Sequence, residues 1–216
     1  NMDVVSSHMF YECKKLETVV FGMNVTEIGG YAFYNCSQLK VDLPGNIVKI
    51  GDSTFMNCKS LTEITIPKSL TDCSSDIFSD CSNLKTIKFE KGITTIPANL
   101  FCGYSNNIWY DGLEEIDIPE TVTTIGSNAF YNCKNLTTVT GMKNVTKIGS
   151  NAFYNCSNLV NIKLPENLTE IGSYAFRDCS QLKSISIPDT LKSWGTDIFS
   201  GCTGLATVDI PDNFIN

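Results

Sequence analysis

Short stretches of alternating hydrophobic and polar residues recur along this chain at a fixed interval. In Leu159-Val-Asn-Ile162-Lys-Leu164 the last three residues read apolar, polar, apolar, the period of a strand with one face buried. Pro165 follows, and Pro44, Pro67, Pro119, Pro188 and Pro211 hold the same place in other copies. Proline lacks the N–H that would continue a ladder, so the strand is predicted to stop there. Leu168 and Ile171 mark a second short extended segment with its apolar residues inward, and Gly172 supplies a turn. In Ala175-Phe176-x-x-Cys179 apolar residues lie three apart, which predicts one turn of helix or 3₁₀ helix.

The interval is that of an internal repeat. Phe recurs at 10, 33, 55, 78, 101, 130, 153, 176 and 199, at steps of 23, 22, 23, 23, 29, 23, 23 and 23 residues. A Leu stands six residues after eight of them, from Leu16 to Leu205. One such unit cannot bury its own apolar face, so the units must stack. The expectation is an α/β fold, a right-handed solenoid of nine coils, with parallel strands about 4.8 Å apart on one face and short helical or 3₁₀ turns on the other.

The units Leu182-x-x-Ile185-x-Ile187-Pro188 and Ile148-Gly149-x-x-Ala152-Phe153-x-x-Cys156 resemble the BspA-like leucine-rich repeat. The similarity covers essentially the whole chain, so residues 1–216 are expected to form a single leucine-rich-repeat domain. The resemblance implies a cell-surface or secreted protein of a mucosal bacterium or parasitic protist. It further implies a partner that is a protein or glycoprotein, such as host matrix or another cell. It carries over no catalytic residue, no cofactor and no fixed ligand motif. An intracellular interaction scaffold of the same architecture is the alternative. Neither end of the sequence shows a polar capping repeat, and Asn1-Met2-Asp3-Val4 does not begin a signal peptide; a segment of a longer array is therefore expected.

Charge narrows the partner classes. The formal net charge is −7 and Lys or Arg never forms a run, which disfavours nonspecific nucleic-acid binding and adhesion to anionic lipid. No apolar stretch reaches the roughly 20 residues of a membrane helix.

Eight of the ten cysteines (13, 36, 58, 81, 133, 156, 179 and 202) share one repeat position. Stacking would align them within disulfide range, but a small apolar thiol filling a narrow core slot is the simpler reading. Cys73 takes an inward Ile position. Cys102 falls where the repeat is interrupted and is expected to be the exposed thiol. No Cys-x-x-Cys or Cys-His pair suggests a metal.

Catalysis fails on inventory, because the single histidine, His8, lies in the incomplete first unit. Asp111, Glu114, Glu115, Asp117 and Glu120 do form an acidic cluster. Glu115 and Asp117 should both face outward, about 6–7 Å apart, a spacing that suits a calcium ion or an acid/base pair. Lys88, aligned with Asp117 on the neighbouring coil, offers an ordinary ion pair instead. The outward strand positions are polar, mixed in sign and free of aromatics, a poor surface for tight binding.

The irregular segment 102–112, which carries a six-residue insertion, places Tyr104, Trp109 and Tyr110 on a rim loop, where binding residues concentrate. With Glu115 and Asp117 they make the candidate partner-binding set. The competing reading is that these aromatics fold back over the interrupted core. Trp194, at an inward Ile position, is expected to be buried.

Overall fold

The computed structural model describes residues 3–104, 110 and 112–212. The chain winds through coils with two strand sides and one turn side. The second strand side comprises β1 (Val4–Val5), β2 (Glu27–Ile28), β3 (Lys49–Ile50), β5 (Asp72–Cys73), β7 (Thr95–Ile96), β9 (Thr124–Ile125), β11 (Lys147–Ile148), β13 (Glu170–Ile171) and β15 (Ser193–Trp194). The first side comprises β4 (Glu63–Ile66), β6 (Thr86–Phe89), β8 (Glu115–Asp117), β10 (Thr138–Thr140), β12 (Asn161–Ile162), β14 (Ser184–Ser186) and β16 (Thr207–Asp209). All pairing is parallel, and the register equals the sequence period: Val139 lies opposite Ile116 on one side and Ile162 on the other. The expected solenoid of about nine coils is what the chain forms.

The two strand sides are not equally continuous. The second runs β1-β2-β3-β5 and then β7-β9-β11-β13-β15. The first is divided into β4-β6, β8-β10-β12 and β14-β16. One division follows the insertion between β6 and β8. The other opens between β12 and β14, which do not pair.

No helix forms among the described residues, so the helical turns expected from the Ala-Phe-x-x-Cys spacing are corrected to a string of tight turns. In one coil the amides of Asn151, Phe153 and Asn155 donate outward to the Ser173, Ala175 and Arg177 carbonyls of the next coil, at 2.9, 2.8 and 2.8 Å. The amides of Tyr154 and Cys156 donate back to Asn151 and Phe153 at 3.0 and 3.2 Å. Asn151 and Asn155 sit at φ 55° and 54°, a left-handed conformation that Asn tolerates better than most residues and that interrupts any helix. Spacing of three therefore came from alternating turns, not from a helical rise.

Gly149 answers a packing need. A Cβ there would come within 2.8 Å of Gly126 C and Ser127 Cα on the preceding coil, so the coils approach too closely for any side chain.

Inside, the phenylalanines form one column. Neighbouring rings from Phe10 to Phe199 lie 5.1–5.9 Å apart between centroids, within the range of favourable aromatic stacking. The cysteines line up beside them. Seven thiols, from Cys36 to Cys202, each donate to the Phe carbonyl one coil back at 3.0–3.5 Å. All ten cysteines are free, nine of them buried. The exposed one is Cys13, and Cys102, expected to be exposed, is buried at 1%. Trp194 is also corrected: it is 55% exposed, because β15 ends its sheet and has only β13 beside it.

Candidate functional site

The insertion is pinned at both ends. At its start the Tyr104 amide donates to the Asp76 carboxylate at 3.0 Å, and the Ser79 hydroxyl donates to the same oxygen at 2.9 Å. Asp76 is 5% exposed, so these bonds offset the cost of burying its carboxylate. At its end Tyr110 turns inward, 1% exposed. Its ring stacks on Phe101 at 5.5 Å and its hydroxyl donates to the Leu84 carbonyl. Gly112 follows where a Cβ would meet the Leu84 oxygen at 2.5 Å.

Of the three aromatics expected on a rim loop, Tyr110 is therefore a core residue, the folded-back alternative. Trp109 lies outside the described residues. Tyr104 is 49% exposed and packs against Tyr131 with centroids 4.6 Å apart. Partial burial, followed by the neighbouring Cys102, raises the Tyr104 hydroxyl well above the ordinary phenol value.

Glu115 and Asp117 point outward from β8, as strand alternation requires. The Asp117 carboxylate accepts from the Thr140 hydroxyl at 2.7 Å. Lys88 does not pair with it. Lys88 binds Glu63 on β4 at 2.8 Å, because β6 pairs with β4 and not with β8. Across that division Lys85 reaches Glu114 at 2.8 Å. Among the described residues no group of three or more His, Cys, Asp or Glu could hold a metal ion. Tyr104 belongs to the turn side and Glu115 and Asp117 to a strand side, so the structure does not bring the candidate set together.

Aromatics missed in the sequence stand on the turn side. Tyr131 and Tyr154 stack at 4.7 Å, Tyr11 and Tyr34 at 5.0 Å, and the Arg177 guanidinium lies 5.4 Å from the centre of the Tyr174 ring. Burial raises the Tyr131 and Tyr154 hydroxyls, with Tyr154 and Asp178 adding to the effect. The signal was present: each of the first four tyrosines follows a repeat Phe. Beside them runs an asparagine ladder, with Asn155 Nδ2 donating to Asn132 Oδ1 at 2.8 Å and Asn57 to Asn35 at 2.7 Å.

A parallel-coil solenoid with this spacing of Leu, Phe and Cys defines a leucine-rich-repeat protein. The model of the BspA type leucine rich repeat region matches residues 1–108 and 105–216, with six copies. The chain belongs to that family. No curated protein matches it. Among solved structures, the leucine rich repeat protein of T. pallidum is 24% identical with a TM-score of 0.59, covering 97% of this chain and 83% of that one. A leucine-rich repeat protein of Eubacterium ventriosum is 25% identical with a TM-score of 0.50, covering 98% and 71%. The pneumococcal vaccine antigen PcpA is 22% identical with a TM-score of 0.54, covering 95% and 59%. These likenesses show the shared fold.

Proposed function

We propose that this chain is a non-catalytic binding scaffold of a cell-surface or secreted protein, holding a rigid surface against a protein or glycoprotein partner. The observation that carries the reading is the unbroken phenylalanine column through all the coils. It fixes every outward residue relative to the next, so a partner meets a preformed array and little ordering cost opposes binding. Family membership supports the same reading, since the resemblance implies surface proteins that adhere to matrix glycoproteins or to other cells.

The ten free thiols favour a second reading, an intracellular scaffold, because reduced cysteine persists in reducing compartments. Labelling intact source cells with a membrane-impermeant reagent separates the two: the surface reading requires that the protein be labelled before lysis. The binding reading is tested by passing the purified protein over immobilised host matrix glycoproteins and over whole bacteria. Retention by none of them would overturn it.

A further inference from the structure

A groove runs along the rim where the strands of the first side end. It consists of three neighbouring cavities of about 730, 460 and 690 Å³, and Glu166 lines all three. Its origin is local. Gly141 stands in register where Ile118 and Leu164 put side chains, so one coil lacks its apolar rim residue. A Cβ at Gly141 would fall onto the Ile118 carbonyl and within 2.6 Å of Asp117 Oδ1, and its φ of 81° also suits glycine. The groove then continues into the division between β12 and β14. Across that division Lys183 still donates its amide to the Val160 carbonyl at 3.4 Å. Pro188, in register one step beyond the Leu164 ladder position, has no N–H to offer there.

The charge along this groove is mostly negative. Six carboxylates (Asp117, Glu120, Glu166, Asp189, Asp209 and Asp212) line it against two lysines, Lys143 and Lys163. That ratio is three to one, where the whole chain has 23 acidic to 16 basic residues. The acidic residue directly follows the strand-ending proline in four coils, at Glu120, Glu166, Asp189 and Asp212. In earlier coils the same position holds Gly45, Lys68 and Lys91. In the one intervening coil Lys143 holds the position and pairs with Glu120 at 3.5 Å, so acidity prevails in this half of the rim without being uniform.

We infer that this groove takes an extended, cationic polypeptide segment of a partner protein. The inference rests on the scaffold reading above and assigns its contact site and partner chemistry. An extended segment fits for two reasons. The groove spans five coils, about 19 Å at 4.8 Å per coil, the length of roughly six extended residues. Its floor of Pro165, Pro188 and Pro211 has no N–H to offer, so the segment is held through side chains, which an extended chain presents to the rim. Lys or Arg on the segment would meet the carboxylate row, with affinity that falls as salt rises.

The test uses the whole protein and a fluorescein-labelled octapeptide of alternating Lys and Ala, followed by anisotropy. Binding is expected, weakened at least about tenfold in E166Q/D189N/D212N. The control E12Q/E17Q/D42N removes equal charge from the other end and should change affinity less than about twofold. All six side chains lie on exposed residues, so melting temperatures should stay unchanged. Absence of peptide binding, or equal loss in both variants, overturns the inference; so does displacement of the peptide by spermine at equal charge concentration, which would mean a polyamine site. If a partner found in the retention assay holds wild type and the groove variant equally, the groove fails and the scaffold stands. If the peptide binds the groove but nothing retains the protein, the scaffold reading fails instead.

Discussion

Tyr110 stacks its ring on Phe101, 5.5 Å between centroids, so a residue supplied by the insertion adds a further ring to the aromatic column. Its hydroxyl is satisfied by the Leu84 carbonyl one coil back. Tyr110→Ala should therefore destabilise the protein by about 3–5 kcal/mol, the cost of truncating a core aromatic. Tyr104→Ala, which removes a half-exposed ring, should cost less than about 1 kcal/mol. Urea unfolding of both variants checks the pair; equal midpoints would mean that Tyr110 does not hold the core closed.

Asp76 should matter as much as a core residue. Asp76→Ala removes the acceptor for both the Tyr104 amide and the Ser79 hydroxyl, and hydrogen bonds to a charged group contribute about 1.5–3 kcal/mol each. A loss of at least about 2 kcal/mol is expected, with faster amide exchange at Tyr104. An unchanged exchange rate would show that the insertion is held by something else.

The Phe130 carbonyl accepts two hydrogens, one from the Cys133 amide and one from the Cys156 thiol, each at 3.2 Å. Cys156→Ser keeps a donor in reach of that oxygen and should cost less than about 1 kcal/mol. Cys156→Ala loses the donor and leaves a small void, at about 1–2 kcal/mol. Serine melting below alanine would mean that the hydroxyl finds no partner in this slot.

Buried thiols make the fold sensitive to alkali. Burial pushes Cys73 and Cys102 up to about 12, while an unfolded thiol ionises near 8.5. Above that lower value the unfolded chain gives up protons that the folded chain keeps. The unfolded state then binds fewer protons, and stability falls as pH rises. The loss should begin near pH 8.5 and continue towards pH 12, at about 1.4 kcal/mol per pH unit for each such thiol. Denaturant midpoints from pH 7 to 10 would show it; a flat profile contradicts the burial. At pH 8 a thiol reagent should modify Cys13 first, the one exposed cysteine.

Most of the coil was legible because each repeat position has one physical job. Ile116, Val139 and Ile162 pair in the register that their 23-residue spacing dictates. What escaped depends on neighbours that the local pattern does not specify. The Ala-Phe-x-x-Cys spacing reads as a helical turn, and only the left-handed backbone of Asn151 and Asn155 shows why it is not one. Tyr110 and Cys102 share an interrupted unit with no period to read, so their inward direction could not be inferred from the repeat. Trp194 has the sequence signature of a core position, but its burial depends on a coil on its far side. The groove beside Gly141 arises from an absent side chain, which alternation cannot report.

The amides joining one coil to the next, such as Phe153 to Ala175 and Thr169 to Thr146, donate across the coil boundary. Tension between the two ends would load these boundaries in series, and each coil touches only its neighbours. The molecule should then yield one coil at a time while the remaining coils stay folded. A coil of 23 residues, the step between Phe153 and Phe176, can extend to roughly 80 Å, against about 5 Å when stacked. Under load this fold is a stepwise extensible tether, lengthening about sixteenfold per coil released, on the same two figures.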